Sequence, residues 1–236
     1  LAAGAATLAL LDPRGVEQTI LELIGRWQRL AGERSERIDE LLNDLGLYYV
    51  QAGLGAEALK TFERLLERAT AHGDSDSSNQ LRNQLDLVEI RARFNMSPAP
   101  ELLDKLDALT GQILTQVSPD SPRLRQLLLR AAMVAIALEQ PDKAEALSAS
   151  AREKGRDKAP ANATRTETAL ASIARMRGQY DAAIGQIERR LQDYEKKGER
   201  VSLRHAFVLI DHAYVLALRG KPADRPTAKD WYQEFR

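Results

Sequence analysis

Apolar residues recur at helical spacing along most of this chain, and short turns interrupt them at nearly even intervals. A helix–turn pattern that repeats over about 20–50 residues implies an array of stacked units rather than one irregular core. The clearest unit spans residues 39–69, where the pattern breaks at Gly53-Leu54-Gly55 and then resumes. Leu42, Leu45, Tyr49 and Val50 stripe its first helix, and Ala58, Leu59, Phe62, Leu65 and Leu66 its second. Both stripes follow i, i+3/i+4 spacing, so each helix has one apolar face.

A second unit spans residues 165–194, with the turn Arg177-Gly178-Gln179-Tyr180-Asp181. Weaker copies follow from spacing. The pattern predicts helices over 127–139 and 143–154 around Gln140-Pro141-Asp142, and over 81–94 and 101–117 on either side of residues 95–100. A last pair, 201–219 and 227–236, is broken at Gly220-Lys221-Pro222. Residues 1–11 fall in phase as the tail of a first helix, with residues 12–15 as its turn and 16–30 as its partner. Residues 72–79 form a polar linker too short to divide domains. Anchored at Val16, Ala58, Leu102, Ala144 and Ala183, the units step by 42, 44, 42 and 39 residues. All nine prolines fall at predicted turns or first helical positions, which avoids the ~3 kcal/mol cost of proline inside a helix.

The 39–69 unit resembles the tetratricopeptide repeat, whose pattern is W-x2-L-G-x2-Y…A-x3-F…P. Here the row reads Leu42-x2-Leu45-Gly46-x2-Tyr49 and then Ala58-x3-Phe62, with Leu42 in place of Trp and Thr70 in place of Pro. The small residues have a physical role: Gly46 and Ala58 sit where two helices cross closely, as do Ala132 with Ala144 and Ala171 with Ala183. The family's usual period is about 34 residues, and the ~8 extra residues here are about one added turn per helix. Long-helix repeats of this kind are similar to the sensor arms of large bacterial signalling regulators. The resemblance implies an all-α fold, an α-solenoid of about five to six antiparallel helical hairpins wound in a right-handed superhelix. We expect a single repeat domain over residues 1–236. The opening at Leu1 rather than Met fits a fragment of a larger protein.

Composition narrows the function. Lys and Arg number 34 and Asp and Glu number 34, and the isoelectric point is near 7.1. That balance argues against direct nucleic-acid binding. With no cysteine, thiol catalysis and thiolate metal sites are excluded. No run approaches the ~20 apolar residues that span a bilayer, so no membrane segment is expected; a cytoplasmic location is the first expectation and a periplasmic one the second. His205 and His212 share one helix face but are seven residues apart, a rise of ~10 Å that keeps them off a common metal ion. No phosphate loop, HExxH or nucleophile elbow occurs. We therefore expect no catalysis, no cofactor and no metal.

A protein or peptide partner is the remaining expectation. The resemblance implies that the first helix of each pair lines a concave groove. Carried over, the groove positions are Glu40, Asn43 and Leu47; Gln84 and Arg91; Gln126, Arg130 and Met133; and Arg165, Thr168, Ser172 and Arg175. This row is rich in arginine, which grips carboxylates bidentately, so an acidic peptide is expected. The family's Lys/Asn carboxylate clamp is not reproduced. Trp231, Tyr232 and Phe235 cluster at the end of the sequence and give an alternative: a scaffold that self-associates through that helix. A third reading is a non-catalytic regulatory extension of a larger enzyme.

Overall fold

The computed structural model describes residues 13–32, 35–71, 77–153, 160–196 and 203–221. Among them are ten α-helices and no strand. They are α1 (Pro13–Ala31), α2 (Glu36–Gln51), α3 (Gly55–Ala71), α4 (Ser77–Arg93) and α5 (Ala99–Gln116). They continue as α6 (Pro122–Ala137), α7 (Pro141–Glu153), α8 (Pro160–Met176), α9 (Tyr180–Lys196) and α10 (Leu203–Arg219). The helices expected over 1–11 and 227–236, with the aromatic cluster Trp231, Tyr232 and Phe235, lie outside the described residues.

Four hairpin turns share one construction. The first helix ends on a residue with left-handed backbone: Gly53 (φ 75°), Asn95 (φ 51°), Glu139 (φ 57°) and Gly178 (φ 71°). The next amide then reaches back five residues. Leu54 donates to the Tyr49 carbonyl at 2.9 Å, and Met96, Gln140 and Gln179 donate to Arg91, Ala135 and Ala174 at 2.8 Å each. This closure satisfies carbonyls that the helix end would leave open. Gly220 takes the same left-handed backbone after α10 (φ 71°). These five residues are 42, 44, 39 and 42 apart, so the period read from apolar stripes is also a backbone period.

The residue that closes the first helix also starts the second. The carbonyls of Leu54, Gln140 and Gln179 accept from the amides of Ala58, Ala144 and Ala183 at 3.0 Å. Those three alanines are fully buried at the crossings. Gly46 lies opposite, and a Cβ there would collide with the ring of Phe62, itself 1% exposed. The α4–α5 turn differs. It runs two residues longer, Pro98 accepting from Leu102 at 3.3 Å, and the buried Val88 and Leu102 replace the small pair. Pro13, Pro122, Pro141 and Pro160 each open a helix, where a missing amide costs nothing.

Each helix packs on its sequence neighbours, and α6 also packs on α4 and α8. In the middle of the array, first helices thus touch first helices across hairpins. The core runs through three clusters: α1–α3, α4–α7 and α8–α10. Helix α4 joins two of them, giving Leu81, Leu85 and Val88 to one and Leu87 and Ile90 to the other. Ile173 of α8 likewise enters the middle cluster. Charged ties cross the turns as well: Arg177 pairs with Asp142 and, at 2.8 Å, with Glu145, while Arg219 and Lys221 hold Asp181.

Candidate concave groove and basic cleft

The first helices of the hairpins are α2, α4, α6, α8 and α10, and three of them pack directly on one another, α4 on α6 and α6 on α8.

Along these helices the expected residues meet different fates. Asn43 is half-buried and Leu47 is 41% exposed on α2. Gln126 is exposed on α6 and Met133 half-buried. The side chain of Arg165 lies outside the described residues.

Gln84 and Arg91 stand out of phase with the other pairs. Leu47 precedes its left-handed residue by six, as do Met133 and Ser172; the matching position before Asn95 is Glu89. Arg91 instead turns back onto α3, where its Nη2 lies 3.1 Å from Oε1 of Glu63.

Arg130 is engaged internally. It hydrogen-bonds Asp86 and lies 2.7 Å from Glu89, both carboxylates on α4 and both nearly out of water. Arg93 adds a 2.7 Å bond to Glu89. Burial works to raise the Glu89 carboxyl pKa, but Arg130 and Arg93 outweigh it and hold the pKa below the usual range. Burial raises that of Asp86, and Arg130 offsets it only in part. Asp86 and Glu89 on α4 thus face α6 and place acids beside Arg130.

Three of the expected residues, Thr168, Ser172 and Arg175, all on α8, line one cleft between α8 and α10. A cleft of about 130 Å³ opens there, with Thr168, Ser172 and Arg175 of α8 on one wall and Asp211 and Tyr214 of α10 on the other. Ile187 and Arg190 of α9 form its floor. The Arg175 guanidinium lies over the Tyr214 ring, 5.5 Å from its centroid, a cation–π contact. Arg190 is 8% exposed, and its Nε is buried without a hydrogen-bond partner. Asp211 lies on the rim, where the protein around it raises its carboxyl pKa against the pull of Arg190 and Arg175. Arg190 was missed by the sequence reading, which sought groove residues on first helices alone. A larger hollow of about 940 Å³ runs along α1, but a single helix lines it, so no groups converge there.

No family model and no curated protein matches this chain. Solved structures do. A Podosopora anserina chain of nearly identical TPR-like repeats, described as a kinesin light chain, superposes at TM-score 0.53 with 16% identity, over 83% of this chain and 91% of that one. BtubC (BKLC) from P. vanneervenii superposes at TM-score 0.53 with 15% identity, over 96% of this chain and 89% of that one.

The fold is a tetratricopeptide-like helical solenoid.

At this identity the likeness carries the fold alone. Within the tetratricopeptide-like frame, the cleft is lined by α8, α9 and α10.

Proposed function

We propose that this chain is a protein- or peptide-binding repeat module. Its partner runs along the first helices and presents an acidic group to the cleft between α8 and α10. One observation carries the reading: two arginines, Arg175 and Arg190, line a concave cleft with neither in a hydrogen bond or salt bridge among the described residues. Arginines elsewhere on this face, Arg91 and Arg130, are neutralised by Glu63, Asp86 and Glu89. Acid recognition therefore concentrates at one end of the array, not along its length. Asn43, Leu47, Gln126, Met133 and Ser172 supply the uncharged remainder of the contact row.

The chain works as one array and performs no chemistry itself. Its long-helix repeats support a role as the interaction or sensing arm of a larger regulator. The alternative of a self-associating scaffold is separated by sedimentation velocity: a mass that rises with concentration favours the scaffold. Selection from a random peptide display library, on wild type and on Arg175→Glu, tests the binding reading. Enrichment of acid-bearing peptides on wild type and their loss on the variant is the expected result. Identical enrichment on both proteins, or none on either, overturns it.

A further inference from the structure

Arg190 occupies a position that the other hairpins give to the core. Counting seven residues on from each second-helix crossing, Ala58 leads to Leu65, Leu102 to Leu109, Ala144 to Ala151, and Ala183 to Arg190. Leu65 and Leu109 are 2% exposed and Ala151 is fully buried. A guanidinium at this place gives up most of its hydration and in the free protein recovers no hydrogen bond at Nε. Such a group is costly unless something pairs with it. A local rule broken at one copy of a repeat marks a functional site.

We infer that the α8–α9–α10 cleft is a pocket for a single carboxylate, with Arg190 as its floor and Arg175 as its gate. This rests on the concave-face reading above and adds the chemistry of the ligand. The cleft's charged lining is two arginines and one aspartate, a net of one positive charge that a monoanion neutralises. The Asp211 carboxylate on the rim repels a second negative charge, which disfavours a phosphate dianion. The 130 Å³ volume holds a carboxylate and a short stem. Arg175 is held by Tyr214, so little entropy is lost in docking it on the ligand. The Ser172 hydroxyl stands on the same wall.

Two sources share this chemistry: a free small carboxylate, and an acidic side chain or C-terminus on a peptide. Arginine Nε–H resonances of the whole chain report the site directly. They are followed during titration with acetate, with an acetylated and amidated Gly-Glu-Gly tripeptide, with its Gln counterpart, and with inorganic phosphate. The pocket predicts saturable shifts of the Arg190 and Arg175 signals with acetate and the Glu tripeptide, and at least tenfold weaker effects with the Gln tripeptide and phosphate. Tighter binding of the tripeptide than of acetate assigns a peptide source, and the reverse order a free carboxylate. Arg190→Leu restores the side chain of Leu65 and Leu109 at this position, so a folded variant is expected, and it abolishes the Arg175 response. An unmoved Arg190 signal, equal shifts with phosphate, or a full response in Arg190→Leu overturns the inference. If Arg190 stays unmoved while library peptides still depend on Arg175, the pocket falls and the binding module stands.

Discussion

The Nη2 of Arg130 lies 2.7 Å from Oε2 of Glu89, which ties α6 to α4 by an ion pair whose acid is almost out of water. Asp86, one helical turn earlier on α4, shares the same guanidinium. Burial of such a cluster adds little net stability, but removal of one member leaves its partners charged and dry, typically costing about 3–5 kcal/mol.

Arg130→Met should therefore destabilise the array by about 3 kcal/mol or more at neutral pH. The sign of its pH dependence follows. Without Arg130, burial raises both carboxyl pKa values, so the native state binds more protons than the unfolded chain. The deficit is then smallest in acid, below about pH 4 where unfolded carboxyls are protonated, and grows as pH rises through the raised native values. Urea melts of wild type and variant across that range check this. A flat difference contradicts it.

Asp181 gives the opposite sign. Hydrogen bonds from Arg219 and Lys221 hold its carboxyl pKa below the usual 3.8. Its contribution to docking α10 is present above that value and lost as pH falls through the lower native one. Asp181→Asn should speed amide exchange in α10 at pH 7, and the difference should vanish near pH 2. A difference that persists at pH 2 sinks the assignment.

Glycines of α2 and α5 should respond in opposite directions to alanine. At Gly46 the new methyl meets the buried Phe62 ring, and overpacking of about 1–3 kcal/mol exceeds the ~1 kcal/mol gain in helix propensity. At Gly111 nothing lies within 4 Å of the added Cβ, so only the gain remains. Thermal melts should show Gly46→Ala lower and Gly111→Ala higher, with Phe62→Leu partly rescuing the former.

Glu139 holds a left-handed backbone (φ 57°) in a turn where three other hairpins use Gly or Asn. A side chain there costs roughly 1 kcal/mol. Glu139→Gly should raise stability by about that amount without moving the α6–α7 hairpin. A loss of stability would show that the Glu139 side chain makes a contact of its own.

Residues of this kind decide what the sequence reveals. Gly53 and Gly178 announce their turns because a left-handed backbone favours glycine, and Ala58, Ala144 and Ala183 announce the crossings because the helices close on them there. Glu139 makes the same turn without the signal. Helices α6 and α8 begin at Pro122 and Pro160, five residues before the starts read from apolar stripes. The groove row suffered most on α4. Asn95 sets its phase, and only with that phase fixed does Glu89, not Arg91, fall in line with Leu47, Met133 and Ser172. Arg190 was legible in principle, as one charge in a column of Leu65, Leu109 and Ala151.

That column supplies the last prediction. Leucine at position 190 removes a buried guanidinium and returns an apolar side chain to a cluster containing Ile184, Ile187 and Tyr194. Replacing buried charge with a packed apolar group is neutral or stabilising by about 1–4 kcal/mol. Asp211 loses a neighbour, but it is exposed on the rim, where a lost charge pairing costs at most about 1 kcal/mol. Arg190→Leu should therefore melt at or above the wild-type temperature. A residue kept against stability needs another reason to be there, and the cleft supplies one. If the variant instead melts well below wild type, Arg190 is a structural strut and the cleft loses its floor as a binding group.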